Sequence, residues 1–175
     1  MNIGANSETD YGLSFAWGET EGFTQEEIGS VRTFDLANYK YFTEGVGYTK
    51  YNSTDELVTL EQSDDAANTI WGGNWRMPTS SEVVGLMNSV NYGYVANYND
   101  SGIDGFVLTA KTDNTKTIFM PLPNNNSYYG VSSLGEYNFP ANIYGWVLIK
   151  SGSIMTTFDY DSYRYRAFLI RPVAD

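Results

Sequence analysis

Residues 71–82 read WGGNWRMPTSSE, and this stretch predicts the boundary between two helices. Gly72 and Gly73 suit a helix end, because a residue without Cβ adopts the left-handed C-cap conformation at little cost. Pro78 disfavours helix in the residue before it. Thr79, with Glu82 three residues later, has the pattern of a capping box that starts a new helix. We therefore interpret the stretch mainly as a structural frame.

A helix is predicted on each side of this frame. Ser63 is the expected N-cap of a first helix over residues 64–71, with Asp64 and Asp65 at the positive end of its dipole. The alternative, an acid–base or metal-binding carboxylate pair, is disfavoured because adjacent helical residues point about 100° apart. The second helix follows Thr79, since apolar residues recur there at helical spacing.

The two tryptophans of the stretch admit two interpretations. We expect Trp71 and Trp75 to bury large areas, so that replacing Trp75 would unfold the protein before it changed what the protein binds. An aromatic-lined ligand site is the alternative. We favour the frame, because every residue type here already has a packing or capping role.

The second half of the chain has the pattern of β-strands. Residues 106–110 and 116–120 flank one polar turn, and residues 146–149 and 153–158 flank another, so two hairpins are predicted. A last strand is expected over residues 164–173, and weaker strands near residues 13–17 and 57–60. The predicted fold class is α+β, in one domain over residues 1–175 with two short helices, small antiparallel sheets and long loops.

The composition excludes several classes of function. With 175 residues, 42% hydrophobic and 16% aromatic, the chain can form a core. Its net charge of -11 opposes binding to nucleic acid or to an anionic membrane. The absence of Cys and His removes thiol nucleophiles, imidazole bases and most transition-metal sites. We predict no catalytic residues, no cofactor and no metal site. No signal peptide or membrane span is apparent, because the apolar runs are far too short.

Aromatic and short polar residues are concentrated near the C-terminus. Alternate residues of a strand share one face, and antibody loops use the same mixture of rigid Tyr and adaptable polar groups. An ordinary solvated sheet face is the alternative. We predict a ligand-binding surface formed by ten residues: Asn138, Phe139, Asn142, Tyr144, Trp146, Thr157, Asp159, Asp161, Tyr163 and Tyr165.

Short motifs also occur in a fixed order along nearly the whole chain. They are NIGA at residues 2–5, FAWGET at 15–20, KYN at 50–52, DDAA at 64–67, WGGNWRMPT at 71–79, IFMP at 118–121 and RPV at 171–173. This series resembles the Fibrobacter succinogenes major paralogous domain family, and residues 64–79 are its most specific part.

The resemblance implies a C-type lectin-like fold related to the formylglycine-generating enzyme. Several family members are variable proteins of diversity-generating retroelements, in which a reverse transcriptase rewrites adenines in a C-terminal variable region. The resemblance therefore implies a non-enzymatic ligand-binding protein on a virion or prokaryotic cell surface. Its diversified surface, between residues 137 and 165, would recognise a protein or glycan of a host or partner cell. A multimer is compatible with this family, and oxidase chemistry is not expected without cysteines.

Two departures and one alternative accompany the resemblance. Members often have Tyr-Trp-Ser-Ser where this chain has YNFP at residues 137–140, which affects where the variable segment starts. The family usually has a strand before the NIGA motif, so either that strand is lost or the chain is a piece of a longer protein. The alternative function is a prokaryotic adhesin or lectin module with a fixed carbohydrate ligand, in which Trp and Tyr stack on sugar rings.

Overall fold

The computed structural model describes residues 1–135, 139–158 and 163–175. They form a mixed α+β fold, as predicted. The two α-helices are α1 (Ala66–Trp71) and α2 (Ser80–Ser89), and 3-10 turns cover Leu36–Asn38, Gln62–Asp64 and Tyr98–Asp100. The strands are β1 (Ser14–Phe15), β2 (Phe42–Thr43), β3 (Gly47–Tyr48), β4 (Trp75–Arg76), β5 (Val90–Val95), β6 (Gly105–Ala110), β7 (Thr117–Pro121), β8 (Asn126–Leu134), β9 (Ile143–Ile149), β10 (Ile154–Phe158), β11 (Phe168–Leu169) and β12 (Val173–Ala174).

Two sheets contain most of the strand residues. The larger has the order β1-β11-β8-β9-β10, with β11 and β8 parallel and the other pairs antiparallel. The smaller is the antiparallel sheet β5-β6-β7. The pairs β2–β3 and β4–β12 stand apart from both. The predicted hairpins are confirmed as β6–β7 and β9–β10.

The prediction of one long strand over residues 164–173 is wrong. The segment forms only the short strands β11 and β12, which pair with different partners. Pro172 lies between them and has no backbone N–H to donate to a sheet. Near residues 57–60 the structure has an isolated bridge, between Thr59 and Ser133, and no strand.

The helices beside the WGGNWRMPTSSE stretch confirm one boundary and correct the other. Thr79 and Glu82 form the predicted capping box at the start of α2. The first helix begins later than predicted, because the Asp65 side chain, and not Ser63, accepts hydrogen bonds from the amides of Ala67 and Asn68. Asp65 also accepts a hydrogen bond from the Met77 amide at 2.8 Å, so one carboxylate joins α1 to the residue that follows β4.

The main core is formed by α2, by β8, β9 and β10 of the larger sheet and by the β5-β6-β7 sheet. Phe106, Leu108, Tyr129, Trp146 and Leu148 are buried there. A second core, rich in aromatic residues, surrounds Trp17 and Tyr51, and a third connects Ile3 and Phe15 to α1. None of the helices formed by the described residues is both long and apolar enough to cross a membrane.

The expectation that both tryptophans of the frame are buried is wrong for Trp75. Its side chain is 38% exposed, and Trp71 is half-buried. The two rings meet edge to face at a centroid distance of 4.9 Å. Trp75 lies in the short strand β4, opposite Ala174 of β12, where the remainder of the fold leaves one side of the ring open.

Candidate ligand-binding surface

The structure places the ten predicted surface residues in different environments. Asn138, Asp159 and Asp161 lie outside the described residues. Phe139 is 38% exposed, Thr157 is exposed and Tyr144 is half-buried. These three are compatible with a role in contacting a ligand.

Two of the predicted surface residues are instead part of the framework. Trp146 and Asn142 are each 1% exposed, so neither presents the exposed side chain that the prediction expected. Trp146 lies in the middle of β9, where alternate side chains face the core under α2, and its ring packs on Tyr129 at 5.3 Å. Asn142 lies just before β9, in a bridge with Tyr163.

Tyr144 lies on the same face of β9 as Trp146, nearer to the start of the strand. Thr157 is paired directly with Trp146 across the sheet, so it shares this face as well. Because the main core ends here, Tyr144 packs against that core with part of its ring and leaves the rest accessible.

Tyr144 separates two concavities. The helix-side concavity, of about 350 Å³, is lined by Ser80, Ser81, Val83, Val84, Val131, Tyr144, Gly145 and Thr157. The loop-side concavity, of about 520 Å³, is lined by Val58, Thr59, Ser133, Leu134, Gly135, Phe139 and Tyr144. We call the area formed by both concavities the Tyr144 surface.

The Tyr144 surface combines exposed apolar groups with hydroxyls. Val58, Val84 and Phe139 are 54%, 46% and 38% exposed, and Ser, Thr and Tyr side chains lie between them. No charged side chain of the described residues lines either concavity. An aromatic group between apolar pockets with a few polar groups suits recognition.

Tyr163 and Tyr165 form a separate aromatic pair. Their rings stack at 5.2 Å with an interplanar angle of 5°, and the guanidinium of Arg166 lies 5.4 Å from the Tyr163 ring. Both are half-buried, and neither is among the described residues that line the two concavities. The pair lies near Tyr48, whose pKa is raised mainly by burial and is lowered in part by Arg164.

Arg164 attaches this part of the chain to the aromatic core. It is fully buried, and its Nε donates to the Tyr39 hydroxyl at 2.9 Å. Nη1 donates to the carbonyls of Tyr51 and Pro140, at 2.9 and 3.1 Å, and Nη2 donates to the Lys50 carbonyl at 2.7 Å. Rings surround the guanidinium, with Tyr48 the nearest at 4.5 Å.

Arg164 therefore supports the segment that carries Phe139. Its backbone N–H also donates to the Ala141 carbonyl at 3.0 Å, so Pro140 and Ala141, which follow Phe139, are each hydrogen-bonded to Arg164. The sequence alone did not predict this role. No spacing rule marks an arginine whose acceptors are backbone carbonyls, although Arg164 stands between two tyrosines in a chain with few cations.

The adjacent carboxylates Asp64 and Asp65 have separate structural roles. Asp65 caps α1, whereas Asp64 accepts from Lys50 at 2.6 Å, Lys40 at 3.2 Å and the Tyr51 hydroxyl at 2.7 Å. Burial alone would raise the pKa of Asp64, but these hydrogen bonds outweigh it and hold that pKa below its usual range. Asp64 thus joins the aromatic core to the turn before α1.

No family model, curated protein or solved structure matches the chain. Within the described ranges, no group of three or more acidic side chains is placed to hold a metal ion.

Proposed function

We propose that this chain is a non-enzymatic ligand-binding domain that recognises a protein or glycan of a host or partner cell through the Tyr144 surface. The observation that carries the proposal is the position of Tyr144 between two uncharged concavities with exposed apolar rims. Tyr is suited to this position, because its rigid amphipathic ring gives a large contact area at low entropic cost.

The finer proposal is a variable protein of a diversity-generating retroelement with a C-type lectin-like fold, displayed on a virion or prokaryotic cell surface. The ordered motifs of the sequence support it. So does the presence of both accessible and buried residues in the segment from residue 137 to residue 165. Tyr144 and Thr157 are accessible, and both amino acids can arise from an AAY codon by changes at adenines. Trp146 is buried, and Trp cannot arise from such a codon. A fixed framework with a changeable surface has this arrangement.

A fixed-ligand lectin module is the second candidate. It is favoured by the loop-side concavity, where Phe139 and Tyr144 offer rings and Thr59 and Ser133 offer hydroxyls. Sugars are bound by aromatic faces combined with such polar groups.

Binding of the fluorescently labelled chain to arrays of glycans and of surface proteins tests the proposal. We expect Tyr144→Ala to lose at least about tenfold in affinity for every target that the parent binds, because central aromatic side chains dominate recognition. Tyr92→Ala, which removes a 40% exposed tyrosine of the β5-β6-β7 sheet, is the matched control and should bind normally.

The outcomes separate the two candidates. Recognition of protein targets, lost in Tyr144→Ala, supports the diversified surface. One defined sugar as the sole target, lost in the same variant, favours the fixed lectin. Unchanged binding by Tyr144→Ala would show that the ligand contacts another part of the molecule, and the proposal would fail.

A further inference from the structure

A third concavity lies beside the WGGNWRMPTSSE stretch and does not belong to the Tyr144 surface. It has a volume of about 340 Å³, and α2 contributes Glu82, Val83 and Leu86 to it; of these three, only Val83 also lines the helix-side concavity. Its walls include Trp71, Trp75, Ile118, Trp146 and Arg171, so three of the four tryptophans of the chain meet here. We call it the tryptophan pocket.

The tryptophan pocket is apolar and reaches the surface. Trp75 is 38% exposed and Ile118 is 41% exposed, and the Trp71 ring meets Trp75 edge to face. Large apolar groups are normally withdrawn from water where a fold can achieve it, and exposed ones that meet in a concavity mark binding sites. The volume is at the lower end of ligand pockets, which suits a compound with a single ring system.

Two residues of the pocket carry buried N–H donors without an acceptor among the described residues. They are the indole Nε1 of Trp146 and the Nε of Arg171. Buried donors in folded proteins are nearly always paired, so these two mark a pocket wall that is incompletely hydrogen-bonded. Both atoms are shielded from solvent, whereas other atoms of Arg171 line the pocket.

Arg171 also adds a positive charge that is incompletely compensated. Its Nη2 donates to the Phe119 carbonyl at 2.7 Å, and no carboxylate of the described residues lies within ion-pair distance of it. Burial lowers the pKa of Arg171, and Glu8 acts on it only as a more distant charge.

Glu82, the acidic residue in the pocket wall, does not neutralise the charge of Arg171. Glu82 receives two hydrogen bonds from Arg76, at 2.8 and 2.7 Å, and its carboxylate also caps α2 through Thr79. The unpaired charge of Arg171 in the pocket wall therefore favours an anion over a cation or a neutral ligand.

We propose that the tryptophan pocket binds a small amphipathic carboxylate. The aromatic or branched aliphatic part of the ligand lies among Trp71, Trp75 and Ile118, and its carboxylate accepts hydrogen bonds from the guanidinium of Arg171. The inference is independent of the proposed function, because it uses other residues and a different class of ligand.

Titrations of the whole chain with 3-phenylpropanoate and indole-3-acetate, followed by NMR and by tryptophan fluorescence, test this inference. We expect saturable binding that is at least about tenfold tighter for each carboxylate than for its neutral amide, since the charge-assisted hydrogen bond is lost in the amide. Arg171→Gln should remove the preference for the carboxylate while retaining weak binding of both forms. Trp75→Ala should weaken both about tenfold or more by removing one wall.

Two further variants keep the test decisive if Arg171→Gln does not fold. Ile118→Asp places a negative charge on an exposed wall position, and we expect it to weaken carboxylate binding more than amide binding. Tyr92→Ala, outside the pocket, should change neither. Equal affinity for carboxylates and amides would overturn the inference, as would the absence of saturable binding or unchanged affinity in Trp75→Ala.

Discussion

Replacement of Arg164 by Lys tests whether the fold depends on the planar guanidinium rather than on its charge. Arg164 makes four hydrogen bonds, to one hydroxyl and three backbone carbonyls, from three nitrogens that point in different directions. A lysine ammonium is a single point donor and can reach about two of these acceptors. Each buried acceptor that is left unpaired costs about 1–3 kcal/mol, so we expect a loss of about 3 kcal/mol in the free energy of unfolding.

Urea denaturation followed by circular dichroism measures this loss. It would be a large fraction of the roughly 5–15 kcal/mol by which domains are usually stable. Arg166→Lys is the matched control, because Arg166 is exposed, and we expect its effect to stay within about 0.5 kcal/mol. If Arg164→Lys were as mild as Arg166→Lys, the buried guanidinium would not organise the aromatic core.

Three other predictions follow from burial, capping and charge. Trp146→Ala should lower the free energy of unfolding by about 3–5 kcal/mol, as for a buried core residue. A stable Trp146→Ala variant that had lost binding would instead show that Trp146 contacts the ligand. Thr79→Ala should cost about 1 kcal/mol, because the capping box at α2 loses its hydroxyl, and a neutral result would contradict that role. The folded-state pKa of Asp64 is lowered, so its contribution to stability is complete above about pH 4 and is lost at lower pH. The fall in stability with acidification should therefore be smaller in Asp64→Asn than in the parent, and equal falls would show that the Lys40 and Lys50 contacts contribute little.

Local signals in the sequence predicted the parts of the fold that local interactions stabilise. The capping box at Thr79 and the two hairpins need only neighbouring residues, and all three are confirmed. The long strand β8 was missed. It carries Gly130 and several serines, which have little intrinsic preference for strands, and it is stabilised by pairing with β9 and β11 on its two sides.

The ligand-binding surface was predicted only in part, for a reason of geometry. Asn142, Tyr144 and Trp146 have the same strand parity, and parity alone does not show how far α2 covers that face. Trp146 lies in the covered part of that face and is buried, whereas Tyr144 is only half-buried. Trp75 was expected to be buried for a similar reason. Its residue type suits packing, but residue type alone does not show whether other residues cover the side chain.

The revised burial of Trp75 changes the expected result of its replacement. Because 38% of the side chain is exposed, we expect Trp75→Ala to remain folded, with a loss of about 1–2 kcal/mol rather than complete unfolding. Thermal denaturation measures the loss. Complete unfolding of Trp75→Ala would show that the original interpretation of this residue as essential frame is correct.

Sequencing the genomic neighbourhood of the gene tests whether the chain has a diversified surface. We expect a nearby reverse-transcriptase gene and a near-copy of the C-terminal coding segment that differs from it at adenines. The differences should fall at codons of accessible residues such as Tyr144 and Thr157, and should spare the codons of Trp146 and Arg164. A neighbourhood without a reverse transcriptase or a near-copy, or differences concentrated at the buried positions, would contradict the claim of a diversified surface on a fixed framework.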